Sequence, residues 1–256
     1  MHICALGSGS SGNCYYLENN KQAILIDAGL TARQIDERLA LAGKSTKDVK
    51  AIFITHEHID HVRGCDVLAR QLNIPIFATK STAKNCFLCS NPRLINSIKN
   101  NETQELAGLT VSAFKKSHDA SDPVSFSIQA KNKKLGIITD LGKVCKNVID
   151  NVQDSDFLFF ESNHDEQMLA NGPYPYFLKE RIKSDLGHLS NKKSALCILE
   201  HASSKLKHLV LSHLSKINNT PELALKTFKN LIKERSDLKP KISVSLRDQP
   251  TKVFKL

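Results

Sequence analysis

Apolar and polar positions alternate along the chain so as to mark short β-like runs separated by helical stretches. Residues 2–6, 14–18 and 23–27 are three short strand candidates parted by Gly, Ser and Asn, the residue types that make turns. A helix follows, capped by Thr31, with Ile35, Leu39 and Ala42 on one face. Residues 51–55 predict a strand that runs into a polar cluster, 64–72 a helix and 75–78 a strand. The second half repeats the style, with strands expected at 109–114, 124–130, 134–139, 156–161 and 208–212. Helices are expected near 143–151 and 190–202, and after Pro221, where Ala224, Phe228, Leu231 and Ile232 share a face. Sheets covered by helices predict a layered α/β domain rather than an all-α or all-β one. No internal repeat, low-complexity stretch or long linker interrupts the pattern, so residues 1–256 are expected to form a single domain.

Composition narrows the class. A chain that is 41% hydrophobic and 24% charged is neither disordered nor coiled-coil. No apolar run approaches the ~18–20 residues that span a bilayer, and the N-terminus does not read as a secretory signal. Seven scattered cysteines, an odd number, argue against a disulfide framework and for the reducing cytoplasm. The lack of a spanning apolar run predicts no membrane partner, and a net charge of +10 favours a polyanionic one, nucleic acid or another phosphorylated substrate.

The histidines carry the chemistry. His56-Glu57-His58-Ile59-Asp60-His61 places three imidazoles and a carboxylate within six residues, directly after the strand at 51–55. Alternating side chains of an extended segment point the same way, so His56 and His58 can grip one ion while Asp60 and His61 reach a second. Imidazole and carboxylate suit Zn²⁺, or Mn²⁺ and Fe²⁺ with less preference. His118, Asp140 and His213 each stand just past a β run and can supply the remaining ligands.

The order LIDAG (25–29), THEHIDH (55–61), SHDA (117–120), ITDLG (138–142) and LSHLS (211–215) resembles the metallo-β-lactamase superfamily. That resemblance implies an α/β fold, a four-layer αββα sandwich, with a dinuclear centre at the edge of its sheets. It implies that His56, His58 and His118 bind one metal, that Asp60, His61 and His213 bind the other, and that Asp140 bridges them. Asp27 would hold the HEHIDH loop without ligating. The oxygen-reducing di-iron branch carries Glu where this chain has His58, which favours hydrolysis over redox chemistry.

Three further stretches sort the substrate. DFLFFESNHDE (156–166) is similar to the segment around a functional Glu in ribonuclease Z, with Glu161 in its place. Gly187-His188-Leu189-Ser190-Asn191 is similar to that enzyme's Gly-His-Ser-Thr segment. The opening GSGSSGN (7–13) resembles the start of YycJ/WalJ-type metallo-hydrolases, a branch regarded as DNA exonucleases. Only 72 residues (141–212) separate Asp140 from His213, too few for a β-CASP insertion, and no tRNA-gripping arm is apparent, so DNA is favoured over RNA.

The implied reaction is two-metal hydrolysis of a phosphodiester. Two ions ~3.5–4 Å apart lower the pKa of a shared water toward ~7 and neutralise charge on the phosphate oxygens. Asp60 orients that water as well as ligating, and His188, supported by Glu161, serves the leaving oxygen. Ser10, Ser11, Asn13, Ser190 and Asn191 are candidate substrate contacts, although a plain hairpin turn at 7–13 and a helix cap at Ser190 account for the same residues. A thioester or lactone hydrolase of the same fold is the alternative; it would need neither His188 nor a basic surface. Cys86-x-x-Cys89 has no second pair and reads as structural, and Tyr176 and Phe177 are expected in the core rather than stacked on a base.

Overall fold

The three N-terminal apolar runs close into an antiparallel meander. In a computed structural model describing residues 1–256, they form β1 (His2–Gly7), β2 (Cys14–Asn19) and β3 (Gln22–Ile26). Asn20 and Lys21, at φ 50° and 60°, make the two-residue turn whose twist matches a right-handed hairpin. The fold has the expected α/β class, with two seven-stranded mixed sheets and nine α-helices. No helix is long and apolar enough to cross a membrane. The chain divides into two compact units: Met1–Lys115, Ala120–Asn132 and Ser245–Leu256 make the first, Lys116–Asp119 and Lys133–Val244 the second.

In the first unit, β4 (Val49–Phe53), β5 (Ile76–Ala78) and β6 (Ile95–Ser97) extend the meander as parallel strands. Phe254–Lys255 closes its other edge against β1. β7 (Thr103–Leu106), β8 (Leu109–Lys115) and β9 (Val124–Ala130) form an antiparallel ladder. The helices are α1 (Ala32–Leu41), α2 (Ile59–Val62), α3 (Cys65–Leu72) and α4 (Lys80–Asn85). Thr31 starts α1 with a reciprocal capping box: its hydroxyl accepts from Gln34 N and the Gln34 side chain accepts from Thr31 N. Ile35 and Leu39 of α1 and Leu68 and Ala69 of α3 join Leu6, Tyr16, Leu25 and Ile52 in one buried cluster. Each large aliphatic side chain there contributes about 2 kcal/mol by leaving water.

The second unit is built on the parallel ladder β10 (Lys133–Ile138), β11 (Phe157–Glu161), β12 (His208–Ser212) and β13 (Lys241–Val244). All five residues of β11 are buried, which is why it reads as a continuous apolar run. The helices are α5 (Lys146–Gln153), α6 (Glu166–Asn171), α7 (Tyr176–Lys183), α8 (Asn191–His201) and α9 (Pro221–Ile232). Thr220 caps α9, Pro221 occupies its first turn, and Ala224, Phe228 and Ile232 point inward. The short strands β6, β7 and β13 and the helices α4, α6 and α7 escape the sequence pattern because most of their residues are at least partly exposed and impose no clean period. Tyr176 and Phe177 do not enter the core; they are 78% and 74% exposed, because α7 buries no residue at all.

Two contacts in the first unit have measurable consequences. Burial alone would raise the Glu18 carboxyl, but Lys44 Nζ at 2.7 Å, His2 Nδ1 at 3.1 Å and the Tyr16 hydroxyl at 2.8 Å bring it down to about 2. A depressed carboxyl adds stability above its unfolded pKa and loses it as pH falls through the folded one. Glu18→Gln is therefore expected to cost about 1–3 kcal/mol at pH 7 and almost nothing below pH ~2, as read by urea unfolding at both pH values. Gly29 donates its N–H to Asn13 O at 2.8 Å, and a Cβ at this position would lie 1.6 Å from Asp60 O. Gly29→Ala must push backbone apart and is expected to cost about 3 kcal/mol or more; a thermal midpoint equal to the parent's would refute the clash.

Candidate metal centre

In the first unit, β4 delivers the chain through Thr55 into the histidine loop, and His58 is the residue that precedes α2. The loop is held from behind by Asp27, which leaves β3 with φ 61° and is wholly buried. Its carboxylate accepts from Thr55 N at 2.8 Å, from Thr55 Oγ1 at 2.9 Å and from His61 Nδ1 at 2.7 Å. With the proton of His61 committed to Nδ1, its Nε2 carries the lone pair, a tautomer assigned from the hydrogen-bond network. That Nε2 stands 3.5 Å from Asp60 Oδ2. Thr55 Oγ1 lies 2.9 Å from His56 Nδ1, which likewise leaves His56 Nε2 to face His58 Nδ1 at 3.1 Å. The His56 and His61 rings are 4.0 Å apart between centroids. The unit thus gathers His56, His58, Asp60 and His61, with Asp27 behind them.

Asn13, expected as a substrate contact, is engaged inside the unit. It is buried, and its Oδ1 accepts from Gly9 N at 2.9 Å. Its Nδ2 is 3.2 Å from Asp60 Oδ2 and 3.1 Å from His61 Nε2, so the side chain braces the histidine loop from within. Ser10 and Ser11, at the tip of the same turn, are exposed, and Arg63 Nη1 donates to Ser11 O at 3.1 Å.

In the second unit, β10, β11 and β12 run parallel with Ile138 opposite Phe160 and Glu161 opposite Ser212. Asp140, Glu161 and His213 therefore emerge together at the carboxyl ends of the strands, where layered α/β proteins place their sites. Asp140 and His213 both turn through the left-handed region, at φ 54° and 58°. His213 Nε2 lies 3.3 Å from Asp140 Oδ1, and His118 Nε2 lies 3.9 Å from the same oxygen. His118 Nδ1 faces Gly187 O at 3.2 Å, which assigns its proton to Nδ1. Burial lowers the His118 pKa to about 4, so the ring is neutral at pH 7, the form that ligates metals.

Glu161 is fully buried at the end of β11. Its Oε2 accepts from Leu141 N at 2.7 Å and from Leu189 N at 3.2 Å. Its Oε1 is 2.8 Å from His188 Nδ1 and 3.4 Å from His213 Nδ1. Burial alone would raise this carboxyl, but the two imidazoles bring it to about 2, so it is a carboxylate. His188 is anchored through its own N–H to Ile182 O at 2.8 Å, and its ring lies 5.2 Å from both the His118 and His213 rings. Its side chain is 21% exposed, so its far edge meets solvent. Ligand atoms of Asp140, Glu161, His188 and His213 all lie within 4.8 Å of one another.

Ser190 and Asn191, also expected as substrate contacts, are engaged within the fold. Both are buried; Ser190 Oγ caps α8 and donates to Glu166 Oε1 at 2.8 Å. Asn191 exchanges hydrogen bonds with Asn219 and accepts from Ser162 Oγ. Two residues of the site were not singled out from the sequence. Thr55 links Asp27 to His56, and Asn163 Nδ2 donates to His213 O at 3.0 Å. Their only signal is position, each standing beside a residue of the motifs. Imidazole nitrogens and carboxylate oxygens, with no thiolate in either set, fit divalent ions.

Residues 22–214 match the family model described as the beta-lactamase superfamily domain. The chain is 35% identical over 240 residues to "Exodeoxyribonuclease YycJ" of Bacillus anthracis, covering 92% of this chain and 90% of that protein. It is 36% identical over 233 residues to "Exodeoxyribonuclease WalJ" of Streptococcus pneumoniae, covering 88% and 86%. Among solved structures, the metallo-β-lactamase fold protein YhfI from Bacillus subtilis superimposes with a TM-score of 0.72 at 13% identity over 98% of each chain, a likeness of fold. The chain belongs to the metallo-β-lactamase superfamily and is a YycJ/WalJ-type member of it.

Proposed function

We propose that this chain is a metal-dependent exonuclease that hydrolyses phosphodiester bonds of DNA, acting in the cytoplasm. The observation that carries the reading is the Glu161–His188 pair, 2.8 Å apart and within ligand reach of Asp140 and His213. A buried carboxylate that fixes the tautomer of a solvent-touching imidazole is the arrangement a leaving oxygen needs. Two named exodeoxyribonucleases of matching length support it, as does the +10 charge. Seven free cysteines accord with a reducing compartment.

By the family pattern, His56, His58 and His118 hold one divalent ion, Asp60, His61 and His213 the other, and Asp140 is shared. Zn²⁺ or Mn²⁺ suits this donor set, with Fe²⁺ third. Such ions, when bound, supply activation of water and neutralisation of charge on the phosphate oxygens. The protein's own groups do the rest. Asp27 and Thr55 keep the His56 and His61 acceptor nitrogens turned to their work. Asp60 orients the attacking water. His188, protonated on both nitrogens with its Nδ1–H held by the Glu161 carboxylate, gives its Nε2 proton to the departing oxygen and is left neutral, or braces the scissile phosphate. The exposed Ser10 and Ser11 offer hydroxyl contacts to the strand.

The direct test is degradation of 5′-labelled duplex DNA, single-stranded DNA and RNA with added Mn²⁺ or Zn²⁺. DNA should be shortened from an end, and Asp60→Ala should abolish the reaction and lower bound metal. No cleavage with either ion, together with turnover of a thioester or lactone, would transfer the chain to small-molecule hydrolysis. His188→Ala is expected to keep the metal content and melting temperature but to slow turnover about 10²–10⁴-fold. A rate within twofold of the parent would remove His188 from the reaction.

A further inference from the structure

We propose that the outer face of α7 is a stacking platform for the unpaired bases of a DNA end, with Tyr176 and Phe177 as the stacking rings. This rests on the nuclease reading and names the part of the substrate that the second unit grips.

α7 is unusual in burying none of its eight residues, although four of them, Tyr176, Phe177, Leu178 and Ile182, are large and apolar. Tyr176 and Phe177 are 78% and 74% exposed, and Leu186 just beyond the helix is 52% exposed. Two adjacent aromatic rings left in water make a face suited to a partner with flat apolar surfaces. The charges around them select the partner. Phe177 shares a face with Arg181 at i+4. Arg181 is held to Asp119 and Lys183 to Glu180 at 3.2 Å, and with Lys179 these three cations stand against one acid, Glu180, so the helix is net positive. Lys179 is turned back to Ala170 O at 2.7 Å. Exposed rings on a net-positive helix are the combination found on surfaces that take single strands without reading sequence.

Position ties this face to the chemistry. Ile182 O accepts the backbone N–H of His188 at 2.8 Å, and Gly187 O faces His118 Nδ1 at 3.2 Å. Arg181 Nε donates to Asp119 Oδ2 at 2.7 Å, directly beside His118. Gly187 has no room for a side chain, since a Cβ there would lie 2.2 Å from both Arg181 O and Ile182 O. The C-terminal turn of α7 is therefore packed backbone to backbone on the segment that carries His188. The rings at the N-terminal end of this eight-residue helix are thus one helix length, about 12 Å, from the turn that packs on the His188 segment.

The chain contains no tryptophan, so Tyr176→Trp introduces a single indole reporter at the platform. The complete protein is titrated with a single-stranded oligodeoxynucleotide and, separately, with an abasic deoxyribose-phosphate chain of equal length, following indole emission and the anisotropy of a labelled strand. Quenching by the base-containing strand and none by the abasic one is the expected result. Tyr176→Ala and Phe177→Ala should each weaken single-strand binding about 5- to 100-fold, whereas Leu41→Ala, at an equally exposed apolar residue on α1, should leave it unchanged. Saturation without quenching, equal quenching by both chains, or no binding overturns the platform. Emission that changes with protein concentration alone assigns the face to a second copy and also overturns it. Because binding is read rather than cleavage, selective quenching by a protein that cleaves no DNA would sink the nuclease reading and leave the platform standing.

Discussion

The structure around the histidine loop depends on a carboxylate buried with no access to water. Placing the Asp27 charge where no solvent reaches it costs several kcal/mol unless its oxygens are saturated by donors. Thr55 supplies a backbone and a hydroxyl donor and His61 supplies Nδ1, and all of them belong to the loop that needs fixing. The cost of burying the charge is thereby converted into a demand for one loop conformation. If Thr55 or His61 moved away, the carboxylate would be left exposed to its own desolvation penalty.

The second unit repeats this logic with different residues. Glu161 is equally buried, is satisfied by the N–H groups of Leu141 and Leu189, and fixes the Nδ1 side of His188. In both units a strand-end acid sets the tautomer of a histidine, so the nitrogen left for function is chosen by a neighbour rather than by the histidine itself. The two acids differ in what they serve. Asp27 stands behind an imidazole that would ligate, and Glu161 behind one that touches solvent.

Much of this was readable in the chain because ligand chemistry restricts residue type. The spacing of His56, His58, Asp60 and His61 suits a ligand set and little else, and the strands that deliver them have strong apolar runs. The Thr31 cap and the buried face of α9 were legible for the same reason, since local chemistry decides them. Direction was not legible. Asn13, Ser190 and Asn191 are small polar residues in turn-like stretches, and whether such a side chain faces solvent or the interior is decided by packing distant in sequence. Asn13 turns toward Asp60, 47 residues away, and Asn191 toward Asn219, 28 residues away. Tyr176 and Phe177 failed in the opposite sense: their apolarity predicted burial, but they stand on a helix that buries none of its residues.

Asp27, Asp140 and His213 share one more property: each leaves its strand with a positive φ. That conformation costs a residue other than glycine roughly 1 kcal/mol, and Asp and His tolerate it better than most. Alanine, the usual probe at such positions, would lose the side chain and still bear the backbone penalty, so its damage would be counted twice. Asparagine in place of the two aspartates separates charge from conformation, whereas glycine relaxes the backbone while erasing the side-chain contacts. At these three exits the backbone conformation favours glycine while the side-chain contacts favour the residue present, and the sequence keeps the contacts.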